Sequence, residues 1–437
     1  MYNLQLSCTF GIEHGITNNL INDSNPLLMK KAVVTTLCFA AIAVLVACDS
    51  KSHSGGDAVV ISSENTKTYD DLGMIPDFVE EWDFIRLETS ENSLVDGGRS
   101  DIAIDGDLIF VFSSPGLVMY SDKDGHTRQE IKVFDKTGKF LNNIGRIGNG
   151  PGEYIGIPRW VLNRYEKYVA IFDINDRMLK YGYDGEYLET VDISDKFQDI
   201  VSLLFLPDGN LMGYAWLGNP TPEEILLYDK DRNVTDTLAS LAFDFEVNSS
   251  DRSRRSFGGK NMVGIRGEDV MLARNFSDTV YAYKDKKLYP TYYLDISHSL
   301  PDGFKFRQVY VNVNELSEDL NSKKYSENML YGVFSTDQYD IFLKPGKPIV
   351  WDKKRGQGIR FGTNKNISNI PETYVICVDG DRLVGSIEAL KLIEYKEKLA
   401  EEGIEPTSKL RALFNGLAED DNPVLITYKL KSSGEMF

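Results

Sequence analysis

Cysteine and histidine are both scarce in this sequence, which has four of each among 437 residues. Basic residues are also in the minority, because 48 Lys and Arg stand against 66 Asp and Glu and give a formal net charge of -18. This charge repels phosphate backbones, so nucleic acid is not expected as a partner. The uncharged run over 32–47 is too short for a spanning helix, which needs roughly 20 residues.

Residues 29–47 have the layout of a secretory signal. Met29 is followed by two lysines and then by the uncharged run, the charged and apolar regions of such a signal. The run ends in the residues LVAC at 45–48, which resemble a bacterial lipobox. That resemblance implies that the thiol of Cys48 is acylated and that Cys48 becomes the mature N-terminus. A plain signal peptide or a short anchor helix is the alternative.

The signal divides the rest of the chain. Residues 1–28 precede a better start at Met29 and are interpreted as an over-extended start. The first part of 48–74 is rich in Ser, Gly, Asp and Lys, and 48–74 is expected to form a flexible tether. Residues 75–437 are expected to form the folded domain.

Processing would leave one cysteine, Cys377, in the domain. No intrachain disulfide is then expected, so the domain depends on its core alone for stability. Because Cys377 lies in an apolar run, it is predicted to be a buried small hydrophobe rather than a nucleophile.

The domain repeats a pattern of short apolar runs separated by turns. Two turn glycines, Gly138 and Gly185, are 47 residues apart, and Arg232 follows 47 residues later. A period of about 40 to 50 residues with about four strands per unit is the signature of a β-propeller. Helical repeats are disfavoured because the runs are short, aromatic and β-branched, and a β-sandwich does not predict the period.

The fold class predicted is therefore all-β, a six-bladed β-propeller, with five or seven blades as alternatives. The predicted blades cover 100–145, 158–193, 201–238, 261–296, 331–362 and 373–430. A helical insertion from Ser386 to Ala400, with a second short helix around Leu410 to Leu417, is predicted to interrupt the last blade. The strand from Trp82 to Glu88 is predicted to pair with residues 424–430 and so close the ring.

Several segments resemble a known family. The stretch from Ile144 to Tyr154 (IGRIGNGPGEY), with Pro158 and the strands that follow it up to Leu188, resembles one NHL-type propeller repeat. The ending from Asp420 to Leu425 is similar to that of six-bladed β-propeller lipoproteins of Bacteroidales. The resemblance covers about residues 75–437. It implies a protein of the cell envelope that is lipid-anchored to the outer membrane.

Groups suited to catalysis or metal binding are few. Only His126 and His298 fall within the domain, and two histidines cannot form a multi-His metal centre. The glycine-rich stretch over 145–152 is interpreted as a structural crossing between blades. The Asp-rich turns at 122–125 and 173–176 hold oxygen ligands for calcium, but turns between strands favour Asp and Asn in any case. No cofactor is therefore predicted, and calcium is kept as the alternative.

Three residues are candidates for ligand binding. Arg146 lies in the glycine-rich stretch, and Arg159 and Trp160 follow Pro158 where the second blade begins, close to the expected central channel. A cation and an aromatic ring at that position could hold a small polar ligand. The loops 248–260, which is locally basic, and 302–328, which is aromatic, are candidate recognition surfaces.

The leading hypothesis for function is a non-enzymatic, membrane-tethered propeller that binds a ligand or an envelope protein. The alternative is a calcium-assisted hydrolase or lyase that acts on a sugar or lactone, which requires Asp, Asn or Glu side chains converging on the channel axis. A purely structural spacer is the third hypothesis. The side of the outer membrane that the protein faces, periplasmic or exterior, is left open by the sequence.

Overall fold

Short β-strands account for most of the chain that the structure describes. The computed structural model describes residues 58–95, 101–113, 129–157, 159–194, 200–215, 223–240, 246–247, 263–266, 269–274, 276–296, 305, 307–311, 313–322, 330, 332–344, 347–362 and 367–436. In chain order, strands β1 to β28 span Val59–Ile61, Thr66–Tyr69, Val79–Arg86, Asp101–Asp105, Leu108–Ser113, Glu130–Asp135, Phe140–Asn143, Arg159–Asn163, Tyr168–Asp173, Arg177–Gly182, Tyr187–Asp192, Ile200–Phe205, Leu211–Ala215, Glu223–Tyr228, Val234–Ser240, Glu246–Val247, Val263–Arg266, Asp269–Ala273, Thr279–Lys284, Lys287–Leu294, Val309–Tyr310, Gly332–Ser335, Tyr339–Leu343, Ile349–Asp352, Gln357–Phe361, Val375–Asp379, Arg382–Ile387 and Val424–Leu430. Helical segments span Met74–Asp77, Val313–Ser322, Ala389–Glu401, Ser408–Phe414 and Ser433–Met436.

The strands form six blades, which confirms the predicted propeller. From the inside outward, the blades are β4-β5-β6-β7, β8-β9-β10-β11, β12-β13-β14-β15, β17-β18-β19-β20-β1, β22-β23-β24-β25-β2 and β26-β27-β28-β3. The first strands of neighbouring blades contact one another, as β8 does with β12 and β4 with β26, so these strands line the centre of the ring. They begin within two residues of the blade starts that the repeat predicted.

The hydrophobic core consists of layers between adjacent blades. Strand β9 is buried along its whole length, and β5 is buried from Ile109 to Ser113. Between the first two blades, Phe110 and Val133 pack in one cluster with Val169 and Ile171. Both strands lie second from the centre, where a neighbouring blade covers each face, and this explains their unbroken apolar sequence.

Strand β3 closes the ring as predicted. It pairs antiparallel with β28, with Trp82 opposite Tyr428 and Phe84 opposite Ile426. The chain leaving β3 is then held by Asn422, a buried side chain that accepts a hydrogen bond from the Val95 amide and donates to two backbone carbonyls. The last blade therefore combines strands from the N-terminal and C-terminal parts of the propeller sequence.

The flexible tether predicted over 48–74 is too long. Strand β1 pairs in parallel with β20, and β2 pairs in parallel with β25, so each adds a fifth strand to a blade. The outer edges of the fourth and fifth blades offer unpaired backbone groups, and the two short strands satisfy them. Ile61 is fully buried there. The folded unit begins before residue 75 and extends from 57 to 437 by its internal contacts.

The helical insertion in the last blade is confirmed, with shifted bounds. Its first helix begins at Ala389 rather than Ser386, because Ser386 and Ile387 still pair with β28. Leu392 and Leu399 face the blade and share a cluster with Tyr428. The helix Val313–Ser322 lies along the chain in the link from the fourth blade to the fifth, and it was not predicted.

Candidate binding face

The two ends of the blade strands carry different connections. Because adjacent strands within a blade run antiparallel, the links between first and second strands and between third and fourth strands meet at one end of the propeller. We call this end the turn face. Its links are short, covering 106–107, 136–139, 164–167, 183–186, 206–210, 229–233, 267–268, 285–286, 336–338, 353–356 and 380–381.

At the opposite end, which we call the loop face, lie the strand ends that flank the other links of the blade repeat. By residue number these links are 87–100, 114–129, 144–158, 174–176, 193–199, 216–222, 241–262, 274–278, 295–331, 344–348, 362–374 and 388–423. The links 62–65 and 70–78, which join β1 to β2 and β2 to β3, belong to neither set. The helical insertion and both candidate recognition loops thus start and end at the same face. Loops grouped at one end of a rigid scaffold are where binding sites in proteins are commonly built.

The glycine-rich stretch at the loop face is held together by its own carboxylate. Glu153 accepts a hydrogen bond from the Gly150 amide at 2.7 Å and another from Nε of Arg146 at 2.6 Å. These bonds lower the pKa of Glu153, the Gly150 amide contributing most. The Arg146 side chain, although paired with Glu153, is 79% exposed. It therefore presents a charge that is already partly compensated.

Arg159 and Trp160 point to different neighbours. Successive residues of a strand project to opposite faces, so Arg159 reaches the third blade and donates to the carbonyl of Ile200, while Trp160 reaches the first. The Trp160 indole donates to Oδ2 of Asp101 at 3.0 Å, and its ring lies 6.3 Å from that of Phe112. Burial lowers the pKa of Arg159. The two side chains therefore point toward different blades.

A small sheet joins the two links in which the candidate recognition loops lie. Strand β16, in the link 241–262, pairs in parallel with β21, in the link 295–331. Tyr310 of β21 is buried, and its hydroxyl donates to Asp319 of the helix Val313–Ser322 at 2.8 Å. The basic residues of 248–260 lie outside the described residues, as does Phe304.

An exposed tyrosine stands at the loop face of the last blade. Tyr374 immediately precedes the innermost strand β26 and is 85% exposed, although apolar side chains of this size are usually buried in part. Its neighbour Thr373 is fixed by a hydrogen bond from its hydroxyl to the carbonyl of Ser386 at 2.6 Å. Tyr374 could not be identified from the sequence, because its exposure depends on the loop around it and leaves no pattern.

Two titratable groups, one buried and one half-buried, were not candidates for binding. Lys344 is buried and immediately follows β23 at the loop face, and burial lowers its pKa to about 8 although Asp278 opposes the shift. Burial raises the pKa of the Cys377 thiol to about 12, so the thiol stays protonated at neutral pH. Cys377 packs beside the cluster between the last and first blades, and it is half-buried rather than buried as predicted.

The Asp-rich turn at 173–176 uses its first carboxylate for structure. Asp173 accepts hydrogen bonds from the amides of Ile155 and Gly156 and pairs with Arg177. Across the described parts of the chain, no three His, Cys, Asp or Glu residues come together in a metal-binding group. The turn at 122–125, His126 and His298 lie outside those parts.

Within the described ranges, the helices are all too short or too polar to cross a membrane. Cys48 and the signal before it fall outside these ranges.

Comparisons with known proteins identify a family and a fold. A family model described as "Domain of unknown function (DUF4934)" matches residues 60–429. A solved structure from Bacteroides fragilis NCTC 9343, whose name proposes an exported protein, aligns with a TM-score of 0.61 at 18% identity over 86% of this chain and 100% of its own. The WD40 domain of Neurospora crassa Pan2 aligns with a TM-score of 0.33 at 10% identity over 76% of this chain and 89% of its own. No curated protein matches. At 18% identity the Bacteroides structure supports the fold alone.

Proposed function

This chain belongs to the family described as domain of unknown function DUF4934, and we propose that it is a lipid-anchored protein of the cell envelope whose propeller binds a ligand or partner protein without catalysis. The anchor is Cys48, acylated after cleavage of the signal over 29–47. The location is the outer membrane, as the resemblance to the Bacteroidales lipoproteins implies. The exported relative from Bacteroides fragilis, by its name, agrees with secretion. Descent from NHL-type repeats is part of the same proposal.

The observation that carries the binding role is the unequal use of the two faces. Short turns occupy one end of every described blade, whereas the helical insertion and the paired loops of β16 and β21 are built on the other. A propeller needs no long loops to close its ring, because each blade is already covered by its neighbours. We therefore assign ligand or partner binding to the loop face, with Tyr374 at its exposed surface.

The test compares two exposed tyrosines on opposite faces. A photoreactive phenylalanine analogue replaces Tyr374 on the loop face or Tyr165, which is 41% exposed in a turn of the second blade on the turn face. In intact envelopes, we expect the probe at 374 to form a discrete crosslinked product at least several-fold more abundant than the probe at 165. Equal products from both positions, or a product from 165 alone, would contradict a binding role for the loop face.

A further inference from the structure

The turn face has one strongly basic sector. Its side chains are Lys284, Lys286 and Lys287 at the third turn of the fourth blade, and Lys354 and Arg355 at the matching turn of the fifth. We call these five residues the basic rim. All five are exposed, and they belong to adjacent blades.

The matching turns of the other blades carry fewer uncompensated cations than the basic rim. The turn of the first blade has Lys136 and Lys139, of which Lys136 pairs with Asp379 at 2.8 Å. The turn of the second carries Asp184 and Glu186, and that of the third balances Asp229 and Asp231 with two basic residues. The whole chain has a formal charge of -18. The basic rim is therefore a local reversal of sign. Acidic groups face it from one side, since burial and, after it, the charges of Asp208, Asp236 and Asp285 raise the pKa of Tyr283.

The backbone of the fourth-blade turn would accept glycine more readily than lysine. Asp285 and Lys286 have φ values of 50° and 59°, the left-handed conformation of a two-residue hairpin turn. Asn and Gly are the usual residues at these positions because a larger side chain is disfavoured there. The sequence instead has Lys286 between Lys284 and Lys287. A lysine thus occupies a position whose backbone conformation disfavours its side chain.

The basic rim lies on the two blades that receive the N-terminal strands. Strand β1 pairs with the fourth blade and β2 with the fifth, each in parallel with the outermost antiparallel strand. Those outer strands run from the turn face toward the loop face, so β1 does too. Val59, the first residue of β1, pairs with Tyr292, five residues along β20 from its turn-face start at Lys287. The segment from Cys48 to Val59 can span at most about 40 Å when fully extended.

We propose that the basic rim rests on the anionic phospholipid headgroups of the membrane that holds the anchor. This inference depends on the proposed lipid anchor at Cys48 and adds an orientation to it. At physiological salt, lysines attract an anionic surface only within about 8 Å. The membrane surface therefore attracts the basic rim and repels the acidic rest of the protein. A lipid chain and a basic cluster together are a known physical basis for stable, oriented attachment. The loop face then points away from the membrane.

The test replaces the natural anchor, so that its outcome does not depend on lipidation. The chain from residue 48, with Cys48→Ser and an N-terminal histidine tag, is held on vesicles by a nickel-chelating lipid. A dye is attached at Asp337→Cys on the turn face or at Lys347→Cys on the loop face, both exposed positions of the fifth blade. Headgroup-labelled acceptor lipid reports the distance of each dye from the membrane. The vesicles contain phosphatidylcholine with about 30% phosphatidylglycerol or phosphatidylcholine alone.

We expect energy transfer from position 337 to exceed that from 347 at least two-fold on the anionic vesicles. The triple variant K284E/K286E/K287E is expected to remove this difference. The matched variant K391E/K396E/K398E, which makes the same charge change on the exposed side of the insertion helix, is expected to retain it. Melting temperatures of both variants confirm that they are folded.

Equal transfer from 337 and 347, or a difference that survives K284E/K286E/K287E or is the same on uncharged vesicles, would overturn the inference. An acidic protein as the true partner of the basic rim would give the first of these results. Absence of lipid on Cys48 in cells would instead overturn the proposed anchor, and it is measured separately by mass spectrometry.

Discussion

At the scale of single residues, the 47-residue spacing has a direct physical cause. Gly138 and Gly185 occupy matching turns, with φ values of 87° and 85°. A Cβ on Gly138 would lie 2.0 Å from the carbonyl oxygen of Arg86, and one on Gly185 would lie 2.4 Å from that of Asn143. Each turn is thus pressed against the outer strand of the preceding blade. Arg232 takes the third position with φ 67°, and its guanidinium lies over the ring of Phe205.

We expect Gly138→Ala to lower the free energy of unfolding by about 3 kcal/mol or more, because the turn must move away from the strand that closes the ring. The control is Gly356→Ala, at φ 63° with open space around its Cβ, for which backbone conformation alone predicts about 1 kcal/mol. Urea denaturation of both variants measures the difference. Equal losses would mean that the contact with Arg86 contributes nothing to stability.

The candidate site residues show what sequence reasoning can reach at this scale. The sequence located Arg146, Arg159 and Trp160 near the start of the second blade, and they do lie at the loop face. It could not show that Arg159 and Trp160 turn toward different blades, because their partners, Ile200 and Asp101, are separated from them by tens of residues. Whether any of the three binds a ligand stays a prediction.

At the scale of elements, the four strands that repeat in each blade were predictable and the added strands β1 and β2 were not. Blade strands are four residues or longer in most cases and recur with the repeat, so their pattern is visible in the sequence. Strand β1 has three residues and β2 has four, and both lie outside the repeat. Both form because a blade edge is available, which is a tertiary effect. The helix Val313–Ser322 was not predicted, because the sequence of 302–328 is interpreted as an aromatic and polar loop.

We expect Ile61→Ala to destabilise the protein by about 2 to 4 kcal/mol, because Ile61 is 0% exposed in the cluster of the fourth blade. Val60→Ala on the same strand is the control. Its side chain is 47% exposed on the opposite face of β1, and we expect a loss below about 1 kcal/mol. Urea denaturation of the chain from residue 48 gives both values. No loss in either variant would mean that the segment behaves as the flexible tether first predicted.

At the scale of the whole molecule, stability does not rely on any disulfide within the described residues, where Cys377 is a free thiol. The ring is held by apolar layers between all neighbouring blades and by the pairing of β3 with β28. The predicted six blades and the closure followed from period and composition. The division of the molecule into a turn face and a loop face follows from the same repeat once the strand order is known. The sequence alone does not reveal the two faces, because the length of a link can be assigned to one end of the propeller only when the direction of each strand is known.

The proposed anchoring is an attribute of the whole molecule as well. A lipid on Cys48, a short segment to β1 and the basic rim would together hold the turn face toward the membrane and present the loop face to partners. The measurement that tests this account most directly is the intact mass of the N-terminal peptide of the protein isolated from envelopes of a host that processes lipoproteins. We predict a chain that begins at acylated Cys48, and loss of both cleavage and acylation in Cys48→Ala. A mature chain that begins elsewhere, or an unmodified Cys48, would contradict the account.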